Sequence, residues 1–334
     1  MKLGLWAPSL AAAFATAFLA SGPAGAECVL QTVAQLPVQV EDGRIVIPAE
    51  VNGKTVKFFI DTGSEFSFIS EEAAQTLGLK INALGTAEAY GVGGESRLST
   101  ARIARFRLGD LASHNQLFTV TGEGKLSSDP SVVGAIGTDV LDQTDFEFDL
   151  AHGALRFFKA RDCADAQMPY WAKTAYSQAD LEPSATEGFD LIARVYLDGR
   201  PLFAAIDSGS PASVITLGAA RSAGEAPGDP GVTAASPLVG TGSHPIPTWV
   251  GRFKSFKFGD ETIDRPRILM ADLFAYTNEQ VIGSNIKARV GERTDMLLGL
   301  DFLEAHRILF APARRKVYFT YVGGPVFGIA ASAR

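Results

Sequence analysis

Two aspartates, Asp61 and Asp207, each follow an apolar run and precede a small hydroxyl residue, a glycine and a serine. A carboxylate beside so much apolar surface is costly unless it is paired, hydrogen-bonded or used in chemistry. Two such carboxylates in contact cannot easily both ionise, so they share one proton and titrate as a pair. The ionised member can then take a proton from a water that attacks an amide carbonyl, while the protonated member donates to the carbonyl oxygen.

The two aspartates lie in two copies of one sequence pattern. A shift of 146 positions takes Asp61 to Asp207, and an ungapped comparison of residues 51–78 with 197–224 gives ten identities. Internal similarity at a fixed offset indicates a duplicated structural unit. Duplicated units tend to assemble about a pseudo-two-fold axis, by analogy with a two-fold dimer. We therefore expect Asp61 to face Asp207.

The residues that follow each aspartate suit this arrangement. Gly63 and Gly209 let the backbone approach the carboxylates closely. Ser64 and Ser210 can hydrogen-bond the carboxylates and favour their charged form.

A second pair of hydroxyl residues can join the two copies. Thr62 and Ser208 can hydrogen-bond across the axis and hold the two loops in register. We expect the loops to sit on rigid, dry supports that position the carboxylates.

Each copy predicts the same local structure. "RIVIPAEVNGKTVKFFID" indicates two strands joined by an Asn-Gly turn, and "LIARVYLDGRPLFAAID" repeats this with Asp-Gly. A short strand should follow each aspartate loop. Ser70 or Thr216 should then cap a short helix that ends near Gly78 or Gly224.

The similarity continues through the rest of each half. Gly-rich turns occur at 89–96 ("AYGVGGES") and 238–245 ("LVGTGSHP"). An apolar pair plus glycine occurs at 135–141 ("AIGTDVL") and 297–303 ("LLGLDFL"). The chain is therefore predicted to be all-β, with two lobes of similar size. The predicted division is a signal peptide (1–26), an N-terminal lobe (27–160), a connector (161–187), a C-terminal lobe (188–322) and a tail (323–334).

These motifs resemble the aspartic peptidases, in particular the retropepsin-like branch with two lobes fused in one chain, as in bacterial periplasmic-type aspartyl proteases. The resemblance implies a duplicated acid-protease fold, with two pseudo-two-fold-related, β-barrel-like lobes, short helices and a cleft between the lobes. It implies an aspartic endopeptidase that hydrolyses peptide bonds with Asp61 and Asp207 as its catalytic dyad. The residue pairs Ile136–Gly137 and Leu298–Gly299 match the apolar-glycine motif that packs behind each loop.

The Gly-rich turns resemble the flaps that close over substrate in this family. Tyr90 and Gly91 resemble the flap tyrosine and glycine of pepsin-like members, whereas the second turn carries Leu238 in place of the tyrosine. Phe66, Phe68 and Tyr90 suggest apolar subsites. The implied flap residues are Tyr90, Gly91, Val92, Gly93 and Gly94 in the first lobe, and Val239, Gly240, Thr241 and Gly242 in the second.

Other interpretations of the same residues remain open. Each aspartate could be a turn residue that caps nearby amides, as Asp often does. The fold could serve as a catalytically inactive peptide-binding protein, or paired carboxylates could serve another hydrolase such as a glycosidase. The duplication favours the peptidase dyad.

Composition limits the partners. The 334 residues are 46% hydrophobic and 20% charged, with a net charge of −7 and no Lys/Arg cluster, which argues against nucleic acid. We expect a peptide or protein substrate and no cofactor or metal. Both aspartates lie in one chain, so a monomer should suffice.

The N-terminus predicts export. An apolar stretch from Leu10 to Ala20 precedes Ala24-Gly25-Ala26, which fits a signal-peptidase site. The apolar run is too short to span a bilayer, so the mature chain should lack a membrane span and be periplasmic or secreted. In such a compartment Cys28 and Cys163 could form a disulfide. Two buried thiols are the alternative, and we favour the disulfide.

Overall fold

The computed structural model describes residues 28–91, 94–122, 126–163, 168–183, 191–239, 244–275 and 294–327, without the side chains of 85–98. The predicted signal peptide, residues 1–26, lies outside these ranges and stays a prediction. No helix in the described part of the chain is long and apolar enough to cross a membrane.

Short strands dominate the first half of the chain. Its described elements are β1 (Val29–Pro37), β2 (Gln39–Glu41), β3 (Arg44–Val51), β4 (Lys54–Ile60), β5 (Phe68–Ser70), α1 (Glu71–Thr76), β6 (Ile81–Gly91), β7 (Gly94–Leu108), β8 (Leu111–Thr121), β9 (Val132–Ile136), α2 (Thr138–Leu141), β10 (Asp145–Asp149), a 3-10 turn (Leu150–His152) and β11 (Ala154–Arg161).

The second half repeats much of this order. Its described elements are β12 (Ser177–Asp180), β13 (Ile192–Leu197), β14 (Arg200–Ile206), β15 (Val214–Thr216), α3 (Leu217–Ser222), β16 (Thr233–Leu238), β17 (Ile246–Arg252), β18 (Ser255–Phe258), β19 (Glu261–Asp264), β20 (Arg267–Ala271), β21 (Met296–Leu298), α4 (Leu300–Leu303), β22 (His306–Ala311), a 3-10 turn (Pro312–Arg314) and β23 (Lys316–Tyr321).

The predicted hairpin turns are confirmed. β3 pairs with β4 so that Val51 faces Lys54, and β13 pairs with β14 so that Leu197 faces Arg200. Each turn therefore has two residues, Asn-Gly or Asp-Gly, and all four have positive φ angles between 50° and 84°. A two-residue turn with φ positive at both positions matches the right-handed twist of the strands, and Asn, Asp and Gly tolerate it best.

The predicted helix caps are also confirmed. The Ser70 hydroxyl accepts a hydrogen bond from the Ala73 amide at the start of α1, at 3.1 Å. The Thr216 hydroxyl accepts from the Ala219 amide at the start of α3, at 3.2 Å. Each cap satisfies an amide that has no partner inside the helix, so the strand after each aspartate loop passes directly into a helix.

Each half builds its own sheet. The first-half sheet has the order β2-β3-β4-β9-β5-β8-β7-β6, and an additional β3–β7 pairing closes most of it into a barrel. The second-half sheet has the order β16-β17-β20-β15-β21-β14-β13-β18-β19. The expected all-β architecture of two similar lobes is therefore confirmed.

Gly137 and Gly299 each follow an apolar pair, and we call them the apolar-pair glycines. The strand before each of them occupies the same place in both lobes. β9 lies parallel to β4 and antiparallel to β5, and β21 lies parallel to β14 and antiparallel to β15. The aspartate loop connects the two strands on either side of this central strand. All five residues of β9 are buried, as expected for a strand covered on both faces.

A third sheet joins the lobes. Its order is β1-β11-β10-β22-β23-β12, and the β10–β22 pairing connects the two halves of the chain. The Phe146 and Phe310 rings stack at this junction, 4.7 Å apart between centroids. The lobes therefore share main-chain hydrogen bonds and a continuous apolar core, which fixes their relative position.

Charged side chains are buried at this junction. All five residues of β10, "DFEFD", are buried, although their alternation resembles a strand with one solvated face. Glu147 accepts hydrogen bonds from Arg156 at 2.6 Å and from Arg307 at 2.9 Å. Because Arg307 comes from β22, this cluster is an ionic link between the lobes, and removal of one partner would leave a buried charge uncompensated.

A disulfide fastens the edge of the joining sheet. Cys28 precedes β1, Cys163 follows β11, and the two form a disulfide across 135 positions of sequence. β1 pairs with β11 along its length. The disulfide therefore ties the N-terminal strand to the end of the first half.

Loss of this disulfide should lower stability because the unfolded chain gains the freedom of a long loop. We expect the Cys28→Ser/Cys163→Ser double variant to lose about 2–4 kcal/mol of unfolding free energy, measured by denaturant titration. Reductant should lower the parent toward the same midpoint and leave the double variant unchanged. A parent midpoint that is insensitive to complete thiol reduction would contradict this prediction.

Candidate active site

The two aspartates follow equivalent strands, and their main chains have equivalent partners. The Asp61 amide after β4 donates to the carbonyl of Ile136 at 3.0 Å, and the Asp207 amide after β14 donates to that of Leu298 at 2.9 Å. The carboxylates then turn back on their own loops. The Gly63 amide donates to Asp61 Oδ1 at 3.1 Å, and the Gly209 amide donates to Asp207 Oδ1 at 2.8 Å.

Thr62 and Ser208 bind the two loops to each other. The Thr62 amide donates to Ser208 Oγ at 3.1 Å, and the Ser208 amide donates to Thr62 Oγ1 at 2.9 Å. Each hydroxyl also crosses to the opposite strand, Thr62 Oγ1 to the Ile206 carbonyl at 2.7 Å and Ser208 Oγ to the Ile60 carbonyl at 2.8 Å. Both residues are buried. We call these four reciprocal hydrogen bonds the cross-lobe grip.

The grip brings the carboxyl groups together. The Asp61 and Asp207 carboxyl groups lie close enough for each to affect the pKa of the other. A Cβ atom on Gly63 would lie 2.5 Å from Asp207 Cγ, and one on Gly209 would lie 2.5 Å from Asp61 Oδ1. Any larger residue would collide with the opposing carboxyl group, so both glycines are required for close approach rather than for an unusual φ.

Burial raises the pKa of both carboxyl groups. For Asp207, burial and the charge of Asp61 raise the pKa to about 7. For Asp61, burial is again the largest effect and raises the pKa, while the Gly63 amide and the charge of Arg44 oppose it. Asp61 is therefore the carboxyl group that ionises first, and Asp207 is the one that retains the shared proton.

The apolar-pair glycines pack directly behind the loops. A Cβ atom on Gly137 would lie 2.8 Å from the Ser64 carbonyl oxygen, and one on Gly299 would lie 2.8 Å from that of Ser210. The residue after each glycine donates its amide to the same carbonyl, at 2.9 Å and 2.8 Å respectively. Ile136 and Leu298 are fully buried beside them.

A carboxylate and a serine brace each loop from behind. Asp139 Oδ1 accepts from the Ser67 hydroxyl at 2.6 Å and from the Ser67 amide at 2.9 Å. Asp301 Oδ1 accepts from Ser213 at the same two distances. Each serine hydroxyl in turn accepts from the amide of the apolar-pair glycine. Burial raises the pKa of Asp301 to about 6 and also raises that of Asp139.

The expected role of the loop serines is wrong in one respect. The hydroxyls of Ser64 and Ser210 do not donate to the carboxylates; each donates at 2.8 Å to a carbonyl two residues later, that of Phe66 or Ala212. The backbone amides of the two serines, not their hydroxyls, help to lower the carboxyl pKa values. A tight turn favours this local side-chain-to-backbone bond over a bond to the carboxylate.

The predicted flap residues are only partly described. Tyr90 and Gly91 end β6, and Gly94 begins β7 opposite Gly91. Val239, just after β16, is exposed. The remaining flap residues, Val92, Gly93, Gly240, Thr241 and Gly242, lie outside the described residues, so their predicted role stays a prediction.

Sequence reasoning missed three residues of this site. Asp139 and Asp301 follow the two apolar-pair glycines at the same spacing, within "GTD" and "GLD", and this repeat could have revealed them. Arg44 has no such signal, because only the strand register places it beside Asp61. Within the described ranges, no group of three or more His, Cys, Asp or Glu residues could hold a metal ion.

Comparison with known proteins agrees with this geometry. A family model described as "Aspartyl protease" matches residues 47–140 and 193–302, which include both aspartate loops and both apolar-pair glycines. The chain belongs to this family and is a two-lobed aspartic peptidase by fold.

Among solved structures, the chain is similar to that of the aspartic proteinase from Irpex lacteus. The two share 12% sequence identity and superpose with a TM-score of 0.48 over 90% of this chain and 99% of that one. No curated protein matches the sequence.

The raised pKa of Asp207 makes stability depend on pH. An unfolded aspartate ionises near pH 4, so the folded state loses stability as the pH rises from about 4 to about 7 and Asp207 remains protonated in it. The Asp207→Asn variant lacks this loss. Relative to the parent, its free energy of unfolding should therefore rise across that interval, by an amount on the order of a few kcal/mol.

Denaturant titrations at several pH values measure this difference, with Asp110→Asn as the matched control. Asp110 lies exposed in the turn between β7 and β8, so its variant controls for the loss of one carboxyl group outside the site. An offset for Asp207→Asn that does not vary with pH would show that the Asp207 carboxyl is not held protonated.

The brace behind the second loop should contribute to stability. Asp301→Ala leaves the buried Ser213 hydroxyl and amide without their acceptor, so we expect a loss of about 1–3 kcal/mol in unfolding free energy at pH 5. Asp301→Asn keeps an acceptor oxygen and should lose clearly less. The equivalent pair of variants at Asp139 should behave alike, and equal losses for Ala and Asn would contradict the hydrogen-bonding role.

Proposed function

We propose that the chain is an aspartic endopeptidase that hydrolyses peptide bonds with Asp61 and Asp207. The ionised Asp61 accepts a proton from a water molecule as the water oxygen attacks the amide carbonyl carbon. The protonated Asp207 donates its proton to the carbonyl oxygen. The resulting tetrahedral species breaks at its carbon–nitrogen bond when Asp61 returns its proton to the amide nitrogen and Asp207 takes one back from a hydroxyl.

One observation carries this proposal: two adjacent carboxyl groups whose surroundings give them different affinities for a proton. Burial and the charge of Asp61 raise the pKa of Asp207 to about 7, whereas the charge of Arg44 favours the ionised form of Asp61. One acid and one base are thus available at the same pH. A pair of carboxylates retained only as turn caps would need no such contact across the lobes.

The substrate of this proposed reaction is an extended peptide. Such a chain can lie in the cleft between the lobes by strand-like pairing, with alternate side chains entering pockets. Phe66 beside the first loop is exposed, whereas Ala212 at the equivalent place in the second lobe is buried. We propose that Phe66 offers an apolar contact on the first-lobe side. Phe68 is half-buried in the small cluster around Phe59 and supports that wall.

We also propose that the enzyme acts outside the cytoplasm, after cleavage behind Ala26. The disulfide between Cys28 and Cys163 suits an oxidising compartment. The mature chain would then begin one residue before Cys28, and no second chain is needed to complete the dyad.

The test of the proposed function is peptide cleavage from acidic to neutral pH, read by mass spectrometry on a diverse peptide mixture. The chain from Glu27 onward should cleave, whereas Asp61→Asn and Asp207→Asn should each lose at least about a thousandfold in kcat/KM because general acid and base assistance is removed. Parent activity should fall as the pH rises through about 7, since Asp207 then loses the shared proton.

Asp110→Asn, an exposed aspartate distant in sequence from both loops, is the matched control and should cleave like the parent. If a folded parent binds peptides but cleaves none, the chain is a peptide-binding protein of this fold and the proposal fails. Full activity in either dyad variant would also overturn the mechanism.

A further inference from the structure

Strand register places a cation beside one of the two aspartates. The β3–β4 pairing ends with Val46 opposite Phe59; Arg44 lies two residues before Val46 and Asp61 lies two residues after Phe59, so side-chain alternation assigns both to the face of that pair. Opposed residues of an antiparallel pair share a face, with Cβ atoms about 4.5–5.5 Å apart. The Arg44 guanidinium lies 4.9 Å from the centroid of the Phe59 ring, and Phe59 is two residues before Asp61.

The charge of Arg44 favours the ionised forms of the nearby Asp42 and Asp61, but neither carboxylate forms an ion pair with it. Its guanidinium donates to the Leu126 carbonyl at 3.3 Å, and no acidic side chain of the described residues lies within ion-pair distance. Lys57 on the same face differs, because Glu41 at 2.8 Å and Asp129 at 2.9 Å neutralise it. Arg44 is half-buried, so part of the residue remains accessible to solvent.

A contact between the lobes fixes Arg44 near the second loop as well. Gly43, in the turn before Arg44, lies against Pro211, and a Cβ atom on Gly43 would be 2.9 Å from Pro211 Cβ. Pro211 directly follows the loop of Asp207. The turn before Arg44 therefore contacts the residue that follows the second aspartate loop.

The charge has no equivalent in the second lobe. The offset of 146 that relates the two halves takes Arg44 to Asp190, which lies outside the described residues. At the sequence level, one aspartate loop thus has a cation at this position and the other has an acid.

We propose that Arg44 is a specificity-determining residue that selects substrates with a carboxylate side chain on the first-lobe side, within three residues of the scissile bond. The inference rests on the proposed peptidase function and names its substrate class. Same-face side chains of an extended peptide recur about every 7 Å, so one of them passes within reach of a guanidinium adjacent to Asp61. A guanidinium can bind a carboxylate with two parallel hydrogen bonds, and partial burial strengthens that pair.

The test uses one cleaved peptide sequence in which each position within three residues of the cut carries Glu, Gln or Lys in turn. At one position the parent should favour Glu over Gln by about tenfold in kcat/KM. Arg44→Gln should abolish the preference, Arg44→Lys should retain most of it, and Arg44→Glu should favour Lys. Arg102→Gln, an exposed arginine on β7 that donates to the Asn115 carbonyl, is the matched control and should keep the parent preference.

Binding to the Asp207→Asn variant separates this inference from the proposed function. Fluorescence anisotropy with labelled forms of the same peptides should show that the Glu peptide binds about tenfold more tightly than the Gln peptide. The double variant Asp207→Asn/Arg44→Gln should bind the two peptides equally. If the parent cleaves nothing but this binding preference holds, the peptidase proposal fails and the Arg44 inference stands. Equal kcat/KM and equal affinity for Glu and Gln peptides would overturn the inference. It also fails if Arg44→Gln shifts only the pH profile of cleavage, since Arg44 would then act on Asp61 alone.

Discussion

The cross-lobe grip is the interaction on which the rest of the site depends. Thr62 and Ser208 donate and accept hydrogen bonds only by reaching into the opposite loop, and both are buried. A buried polar group without a partner costs free energy, so the loops are stable in contact and unstable apart. The distance between Asp61 and Asp207 follows from this contact. Neither lobe could set it alone.

Two further layers keep the grip in place. Behind each loop, an aspartate, a serine and the amide of the apolar-pair glycine form the same brace in both lobes. Further away, the joining sheet holds the lobes through the β10–β22 pairing and the ionic link of Glu147 with Arg307. The symmetric brace and the single joining sheet have different tasks: the first orients each carboxylate, and the second prevents the lobes from separating.

Deviations from the pseudo-two-fold symmetry give the two aspartates different roles, one as acid and one as base. The loops and glycines are nearly equivalent, so they cannot by themselves decide which carboxyl group ionises. Among the described residues, the charge of Arg44 near Asp61 and the contact between Gly43 and Pro211 depart from this equivalence. A charge that favours ionised Asp61 leaves Asp207 as the acid, and we connect the same charge to the choice of substrate.

The sequence was informative wherever the duplication repeated a local rule. Turn residues with positive φ and hydroxyl caps depend on neighbours within a few positions, so the hairpins and the starts of α1 and α3 were predictable. The joining sheet was not, because "DFEFD" has the alternation of a half-solvated strand and its partner from the second lobe, Arg307, lies 160 positions from Glu147. The direction of the Ser64 and Ser210 hydroxyls and the position of Arg44 depend on turn geometry and strand register, which residue types alone do not determine.

The central claim is that Asp61 and Asp207 share one proton, and carboxyl carbon-13 NMR of aspartate-labelled protein tests it most directly. The two dyad signals are assigned as those that disappear in Asp61→Asn and Asp207→Asn. The account predicts that at pH 6 one signal has the chemical shift of a protonated carboxyl and the other that of a carboxylate, with the protonated one titrating near pH 7. Two signals that both titrate near pH 4, the value of an exposed aspartate, would contradict it.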